Sequence, residues 1–225
     1  MIKTFQLLSP EGCKKVLEEV CKIDSEDGKN TAGPFVKDLK NNRQITKNTE
    51  QGKNLLFAIE KQLLTSNAFK VYTFVRAIPR TMINIHGPGQ FYGQHVDNTW
   101  IMGGKPFSNA RADLSFTLFL KNPDEYSGGE LSIVQGQNTS DVKLTAGKMV
   151  IYDSGSLHQV KPVTEGTRIC CVGWIQSWIP DPKMRLLISD FDLQIARLKK
   201  LDNIPREELN ELHRIYNDLL RANMR

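Results

Sequence analysis

A chain of 225 residues and 25.5 kDa has room for one large domain, or one domain with a small appendage. Hydrophobic residues make up 40% and charged residues 24%, with a mean hydropathy of −0.38, which excludes a disordered or fibrous chain. Thirty Lys and Arg against 25 Asp and Glu give a net charge of +5, too modest an excess to point to nucleic acid as a partner.

The segment Met1-Ile2-Lys3-Thr4-Phe5 lacks the apolar stretch of a secretion signal, and no apolar run approaches the ~18 residues of a membrane span. No membrane association and a cytoplasmic location are therefore expected. Ser9-Pro10-Glu11 reads as a helix start, and Cys13, Val16, Leu17 and Val20 recur at helical spacing, so a first helix is expected over 10–22. A polar loop follows from Ile23 to Gly33. A second helix is expected over 46–66, with Leu56, Ile59 and Leu63 on one face.

From Val71 the period changes to short β-branched and aromatic segments punctuated by Gly, Pro, Asn and Asp. Strands are expected near 71–78, 81–86, 93–97, 113–120, 130–135, 141–144, 148–152, 157–163 and 168–176. Many short strands without intervening helices favour a sandwich or barrel and disfavour a doubly wound sheet. After Pro180 and Pro182 the helical period returns, marked by Ile188, Phe191, Ile195 and Leu198 and then by Leu209, Leu212, Tyr216 and Leu219. The organisation expected is helical support at 1–70, a β core at 71–180 and a helical appendage at 181–225. Cys13, Cys21, Cys170 and Cys171 match no zinc pattern and are expected as reduced thiols in the core.

Two of the four histidines have unusual company. His95 and Asp97 form an H-x-D pair in a strand-like segment, where residues two apart project from one face, so imidazole and carboxylate converge. His158 follows 61 residues after Asp97 on a later strand, and Arg168 ten residues after that, beyond the turn Thr164-Glu165-Gly166. Two histidines and one carboxylate are the ligand set of the facial triad that holds non-haem Fe(II) with open positions opposite. A guanidinium on a neighbouring antiparallel strand could then pair with a carboxylate of a 2-oxo acid in fork geometry. His213 reads as an interface residue of the last helix. Gly87-Pro88-Gly89 reads as a loop rather than a phosphate cradle, because neither a helix nor Lys-Ser/Thr follows. Trp100, Trp174 and Trp178 read as core or rim anchors, and Trp100, three residues past Asp97, as a candidate pocket wall.

The run His95-Val96-Asp97-Asn98 with His158 and Arg168 resembles the Fe(II)/2-oxoglutarate-dependent dioxygenases, and more closely the prolyl-4-hydroxylase-like PKHD-type hydroxylases of bacteria. The likeness extends through Ala112-Asp113-Leu114-Ser115-Phe116-Thr117-Leu118-Phe119-Leu120 and Tyr126-Ser127-Gly128-Gly129-Glu130-Leu131. It continues in His158-Gln159-Val160-Lys161-Pro162-Val163-Thr164 and Trp174-Ile175-Gln176-Ser177. It reaches the ends in Thr31-Ala32-Gly33, Val36-Lys37, Asn42-Arg43-Gln44 and Asn217-Asp218-Leu219-Leu220-Arg221, and so covers nearly the whole chain.

The resemblance implies a mainly β fold with flanking helices: a double-stranded β-helix (jelly roll) with N-terminal helices and a C-terminal helical hairpin. It implies that His95, Asp97 and His158 bind Fe(II), that Arg168 holds 2-oxoglutarate, and that dioxygen is consumed while a substrate C–H bond is hydroxylated. Succinate and CO₂ are the co-products, and L-ascorbate is an implied auxiliary. The prolyl-hydroxylase likeness suggests a peptide or small amino-acid substrate; the oligomeric state is left open. Halogenating relatives carry a small residue where this chain has Asp97, so hydroxylation is expected. Two departures stand out. The family's Asn-Arg-Tyr run, whose tyrosine helps hold the 2-oxo acid, is Asn84-Ile85-His86 here, which makes His86 a candidate co-substrate residue; the position before His95, often apolar, is Gln94. The loop Asn98 to Arg111 is the expected lid. A non-catalytic jelly-roll binding module is the alternative from another class, and a zinc hydrolase would use similar ligands without needing Arg168.

Overall fold

A computed structural model describes residues 2–101 and 109–225; the centre of the expected lid lies outside the described residues. The sixteen described strands are β1 (Ile2–Gln6), β2 (Glu26–Asp27), β3 (Lys40–Asn41), β4 (Arg43–Ile45), β5 (Val75–His86), β6 (Phe91–His95), β7 (Trp100–Ile101), β8 (Ala110–Arg111), β9 (Leu114–Phe119), β10 (Tyr126–Gly128), β11 (Leu131–Gln135), β12 (Asn138–Val142), β13 (Lys148–Asp153), β14 (His158–Val160), β15 (Val163–Gly166) and β16 (Arg168–Ser177). The helices are α1 (Pro10–Val20), α2 (Glu50–Thr65), α3 (Asn67–Thr73), α4 (Pro182–Leu198) and α5 (Arg206–Asn223). None is long and apolar enough to cross a membrane.

Two antiparallel sheets carry the architecture, one ordered β1-β13-β9-β16-β5-β4-β2 and the other β12-β11-β14-β6-β3. Strand alternation sorts the larger sheet into two faces. Leu114, Phe116, Leu118, Met149, Ile151, Cys171 and Ile175 pack with Leu56, Ile59 and Leu63 of α2 and Cys13 and Val20 of α1. On the other face Phe119, Val150, Tyr152 and Cys170 meet Leu131, Ile133 and Val160 of the smaller sheet. The second face, between the sheets, is the interior of a jelly roll, and it holds the site.

Local chemistry sets the helix ends. Ser9 accepts the Gly12 N–H at 3.1 Å, and Thr49 accepts the Gly52 N–H at 3.1 Å, each capping a helix start. The second helix therefore opens at Glu50, four residues later than its apolar period suggests, because Arg43–Ile45 is a strand paired with β5. The strand expected over 71–78 begins only at Val75. Residues 71–73 belong to α3, whose N-cap Ser66 also ends α2, and Phe74 turns the chain out of the helix at φ +44°. The expected break at Pro79 is absent as well. Pro79 falls where the β5–β16 register shifts, between the pairs Trp174↔Arg80 and Gln176↔Ala77, so no regular ladder donor is lost there.

The N-terminal third, expected as helical support, also supplies β1, β2 and β4 to the larger sheet and β3 to the smaller one. At the other end α4 packs against α3 and α5 against α4. Arg185 of α4 is buried, donating to Ile179 O at 2.8 Å and pairing with Asp153 of β13 at 3.1 Å. All four cysteines are free; Cys13, Cys170 and Cys171 are buried, whereas Cys21 is exposed at the end of α1 rather than in the core.

Candidate active site

β6 and β14 are antiparallel neighbours, and their register places His158 directly opposite His95. The two rings lie 4.3 Å apart between centroids. The paired part of β6 ends at His95, two residues before Asp97, and the Asp97 carboxylate lies beside the His95 imidazole. His95 Nε2 is 3.8 Å from Asp97 Oδ1, and His158 Nε2 is 3.7 Å from Oδ2. One ligand atom from each residue falls within 4.8 Å of the others. Both separations are shorter than two metal–nitrogen bonds of ~2.1 Å end to end, so one ion can bridge all three.

The outer partners orient these candidate ligands. Nδ1 of His95 lies 2.7 Å from Gly93 O and Nδ1 of His158 2.9 Å from Ser156 O. A carbonyl can only accept, so each Nδ1 carries the proton and each Nε2 turns a lone pair toward Asp97. Ser115 of β9 donates to Asp97 Oδ2 at 2.5 Å and lies 2.9 Å from Ser154 Oγ. Tyr92 stacks on His95 at 3.6 Å between centroids, and Tyr152 meets His158 edge-on at 5.0 Å. Burial, with the neighbouring His158 adding to it, lowers the His95 pKa to about 4. A neutral imidazole is the form a cation needs.

Arg168 opens β16, in the larger sheet, and so faces the His95–His158 pair across the interior instead of lying on the strand next to β14. Between β14 and β16 the chain forms β15, which pairs with β10, and there crosses from one sheet to the other. Arg168 is 1% exposed, yet its Nε and Nη2 have no hydrogen-bond partner. Both ring nitrogens of His86 are likewise buried without a partner, and the buried Tyr126 Oη faces the Arg168 guanidinium. His86 is the cross-strand neighbour of Arg168, and burial, reinforced by the Arg168 charge, holds its pKa well below 6.5. Gly129 closes the group at φ +67°; a Cβ there would lie 3.0 Å from Arg168 Cδ and 2.9 Å from Val163 Cγ2. A buried guanidinium with unused donors, among neutral polar groups, fits the carboxylate of a small diacid.

One cavity is lined by His95, Asp97, His158 and Arg168 together. His86 does not line it, although it touches the same corner through Arg168. Gln94 is exposed, and Trp100 is 56% exposed while its neighbour Ile101 lines the cavity. Sequence reasoning passed over Ser115, Tyr92, Tyr126 and Lys40. Ser115 and Thr117 alternate with Leu114, Phe116 and Leu118 on a fully buried strand. Polar residues on one face of such a strand are the signal that a site lies on that face.

The 2OG-Fe(II) oxygenase superfamily matches residues 81–176, which include the triad and Arg168. A PKHD-type hydroxylase of Prochlorococcus marinus (strain MIT 9211) is 39% identical over 218 residues, 96% of this chain and 96% of the relative. The chain belongs to the PKHD-type hydroxylases. As a member it is a 2-oxoglutarate-dependent dioxygenase, an enzyme of Fe(II) and 2-oxoglutarate. Solved structures share the fold at lower identity. A Pseudomonas putida prolyl-4-hydroxylase superposes with a TM-score of 0.55 at 19% identity, covering 78% of this chain and 92% of its own. A Trichoplax adhaerens prolyl hydroxylase, solved with a hypoxia inducible factor peptide fragment, gives 0.54 at 14% identity, covering 83% and 86%.

Proposed function

We propose that this PKHD-type hydroxylase holds Fe(II) on His95, Asp97 and His158, anchors 2-oxoglutarate on Arg168, and hydroxylates a peptidyl or free amino-acid side chain, with proline the first to test. The observation that carries the reading is the buried Arg168, its Nε and Nη2 unpartnered, in the same cavity as the triad. A structural arginine at 1% exposure would have its donors filled by the protein. A zinc hydrolase has no use for such a group.

Bound Fe(II) and 2-oxoglutarate supply the oxidising chemistry: one dioxygen and one 2-oxoglutarate become succinate, CO₂ and a hydroxyl group on the substrate. The chain supplies position and exclusion. Nδ1–H donation to Gly93 and Ser156 keeps both imidazoles as Nε2 ligands, and Ser115 fixes the carboxylate. Tyr92 and Tyr152 pack against the ligand rings and keep bulk water from their faces. His86, held neutral, adds no charge that would compete with Arg168 for the diacid, and its ring nitrogens and Tyr126 Oη are the polar groups closest in kind to the tyrosine the family uses there. L-ascorbate serves as the reductant that restores Fe(II), and the enzyme works in the cytoplasm.

The test is anaerobic titration of the metal-free protein with Fe(II) and then 2-oxoglutarate, followed by admission of air and measurement of succinate. Succinate dependent on both additions supports the reading, and its absence with metal bound sinks it. A mass-spectrometric screen of proline-containing peptides for the gain of one oxygen atom then names the substrate.

A further inference from the structure

A phenol and an aliphatic hydroxyl share the cavity wall between the triad and Arg168. Tyr152 of β13 lines that cavity, whereas His86 and Tyr126 do not. It is 4% exposed, and its ring meets His158 edge-on at 5.0 Å between centroids. The charges of Asp97 and Arg168 both reach the phenol, and the hydroxyl of Thr117 on β9 faces it. Thr117 is buried and lines the same cavity.

The alternation along β9 locates this pair. Ser115, Thr117 and Phe119 recur at every second residue, which spreads Ser115 and Phe119 about 13 Å apart at ~3.3 Å per residue. Ser115 donates to Asp97 at the metal end, and Phe119 carries the Arg168 guanidinium over its ring, with Arg168 Cζ 5.4 Å from the centroid. Thr117 is therefore halfway between the two anchors. Tyr152 lies opposite Ser115 in the register and Val150 opposite Thr117, so Tyr152 and Thr117 are diagonal neighbours on adjacent strands. A diacid that joins the metal to Arg168 runs past both hydroxyls. The two carry two protons, and a bond between them uses one. Among the described residues neither side chain has another hydrogen-bond partner, so one O–H is left over in a buried corner, where an unmet donor is costly. The phenol is the stronger acid of the two, so it gives its proton to an anion while Thr117 donates to the phenol.

We infer that Tyr152 is a further co-substrate-binding residue, its Oη–H donating to an oxygen of 2-oxoglutarate between the metal and Arg168, and that Thr117 is the positioning residue that aims it. This rests on the function proposed above and adds a neutral donor to the charged anchors at the two ends of the diacid.

The test measures the two binding events separately, by isothermal titration of Mn(II)-loaded protein with 2-oxoglutarate and by competition for Mn(II) against a chelator. Tyr152→Phe keeps the ring against His158 and removes only the hydroxyl. It is expected to weaken 2-oxoglutarate binding ~10–100-fold, as for a lost hydrogen bond to a charged group, and to leave Mn(II) affinity unchanged. Thr117→Val should weaken 2-oxoglutarate by a smaller factor, and Thr117→Ser, which keeps the hydroxyl, should recover the parent's affinity. Combining Tyr152→Phe with Thr117→Val should cost no more than Tyr152→Phe alone, because the threonine acts through the phenol. If Tyr152→Phe binds 2-oxoglutarate as the parent does while Arg168→Leu loses it, the inference fails alone. It fails likewise if Mn(II) affinity falls as far as 2-oxoglutarate affinity, since Tyr152 then acts only by packing on His158. If 2-oxoglutarate does not bind the Mn(II)-loaded parent, the proposed function fails with it.

Discussion

Ser115 donates to Oδ2 of Asp97 at 2.5 Å, and the two residues belong to opposite sides of the jelly roll. Asp97 follows β6 of the smaller sheet, whereas Ser115 sits on β9 in the larger one. The carboxylate lies outside any strand, so no backbone ladder holds it, and this hydrogen bond across the interior does. The geometry of the candidate metal site thereby depends on how the two sheets pack. Removing the hydroxyl in Ser115→Ala should leave the fold intact and lower metal affinity ~10–100-fold, the usual cost of losing such an outer partner. Competitive titration with Mn(II) against a chelator checks it. Unchanged affinity would show that His95 and His158 alone fix the carboxylate.

The triad itself should be indispensable. His95→Ala, Asp97→Ala and His158→Ala are each expected to lose stoichiometric iron and all succinate formation while keeping the parent's circular dichroism. Iron occupancy should also fall as the solution is acidified, because ligation needs deprotonated imidazole and carboxylate. Full iron content in all three variants would disprove the assignment.

Arg168→Leu should raise the 2-oxoglutarate concentration needed for turnover ~10–100-fold, the equivalent of a charge-assisted contact of about 1.5–3 kcal/mol. Iron binding should change far less, since Arg168 touches no metal ligand. Lysine at this position keeps the charge but not the fork and should recover part of the loss. Equal 2-oxoglutarate dependence in Arg168→Leu and parent would return the arginine to a structural role.

How far the sequence disclosed this site depends on the residue. The candidate metal ligands stood out because histidine is scarce in the chain and the H-x-D spacing is distinctive, and the structure brings His95, Asp97 and His158 together. The strand pairing stops at His95, and the Asp97 carboxylate beyond it is held by Ser115 of the other sheet. Arg168 was legible as a candidate and lines the triad's cavity, but from the other sheet, because β15 is four residues long and carries no signal that the chain changes sheets. Lys40 was invisible for a similar reason. β2, β3 and β4 are two or three residues each, too short for any period, and exist only through pairing with distant strands. The long helices fared better, since Ser9-Pro10 announces the first and a 3.6-residue stripe outlasts local noise, although the period alone started α2 four residues early at its Thr49 cap; α3, at seven residues, was missed.

Gly129 offers a steric test of the co-substrate corner. Its φ of +67° is unfavourable for any L side chain, and a Cβ would press on Arg168 Cδ at 3.0 Å. Gly129→Ala is expected to weaken 2-oxoglutarate binding by displacing the guanidinium, and to cost on the order of 1 kcal/mol of stability from backbone strain. Isothermal titration with 2-oxoglutarate, together with chemical denaturation, separates the two effects. Lost stability with full co-substrate affinity would mean the arginine adjusts around the new methyl group.

The metal-free enzyme should also carry a pH signature in its stability. His86 and His95 are both held neutral by burial, His95 down to about 4 and His86 well below 6.5. In the unfolded chain each titrates near ~6.5, so between about pH 6.5 and 4 the unfolded state binds protons that the native state refuses. Their contribution to stability is therefore present in full above about pH 6.5 and declines as the solution is acidified. Each histidine steepens the loss by at most about 1.4 kcal/mol per pH unit. Replacing His86 with Phe keeps a buried ring and removes the titration, so urea unfolding of metal-free His86→Phe should show a shallower loss of stability between pH 6.5 and 5 than the parent. The same neutrality means that 2-oxoglutarate affinity, measured at saturating metal, should not change between pH 6 and 8 on account of His86. Parallel stability curves for the variant and the parent would show that His86 takes up its proton in the folded protein, against the burial that surrounds it.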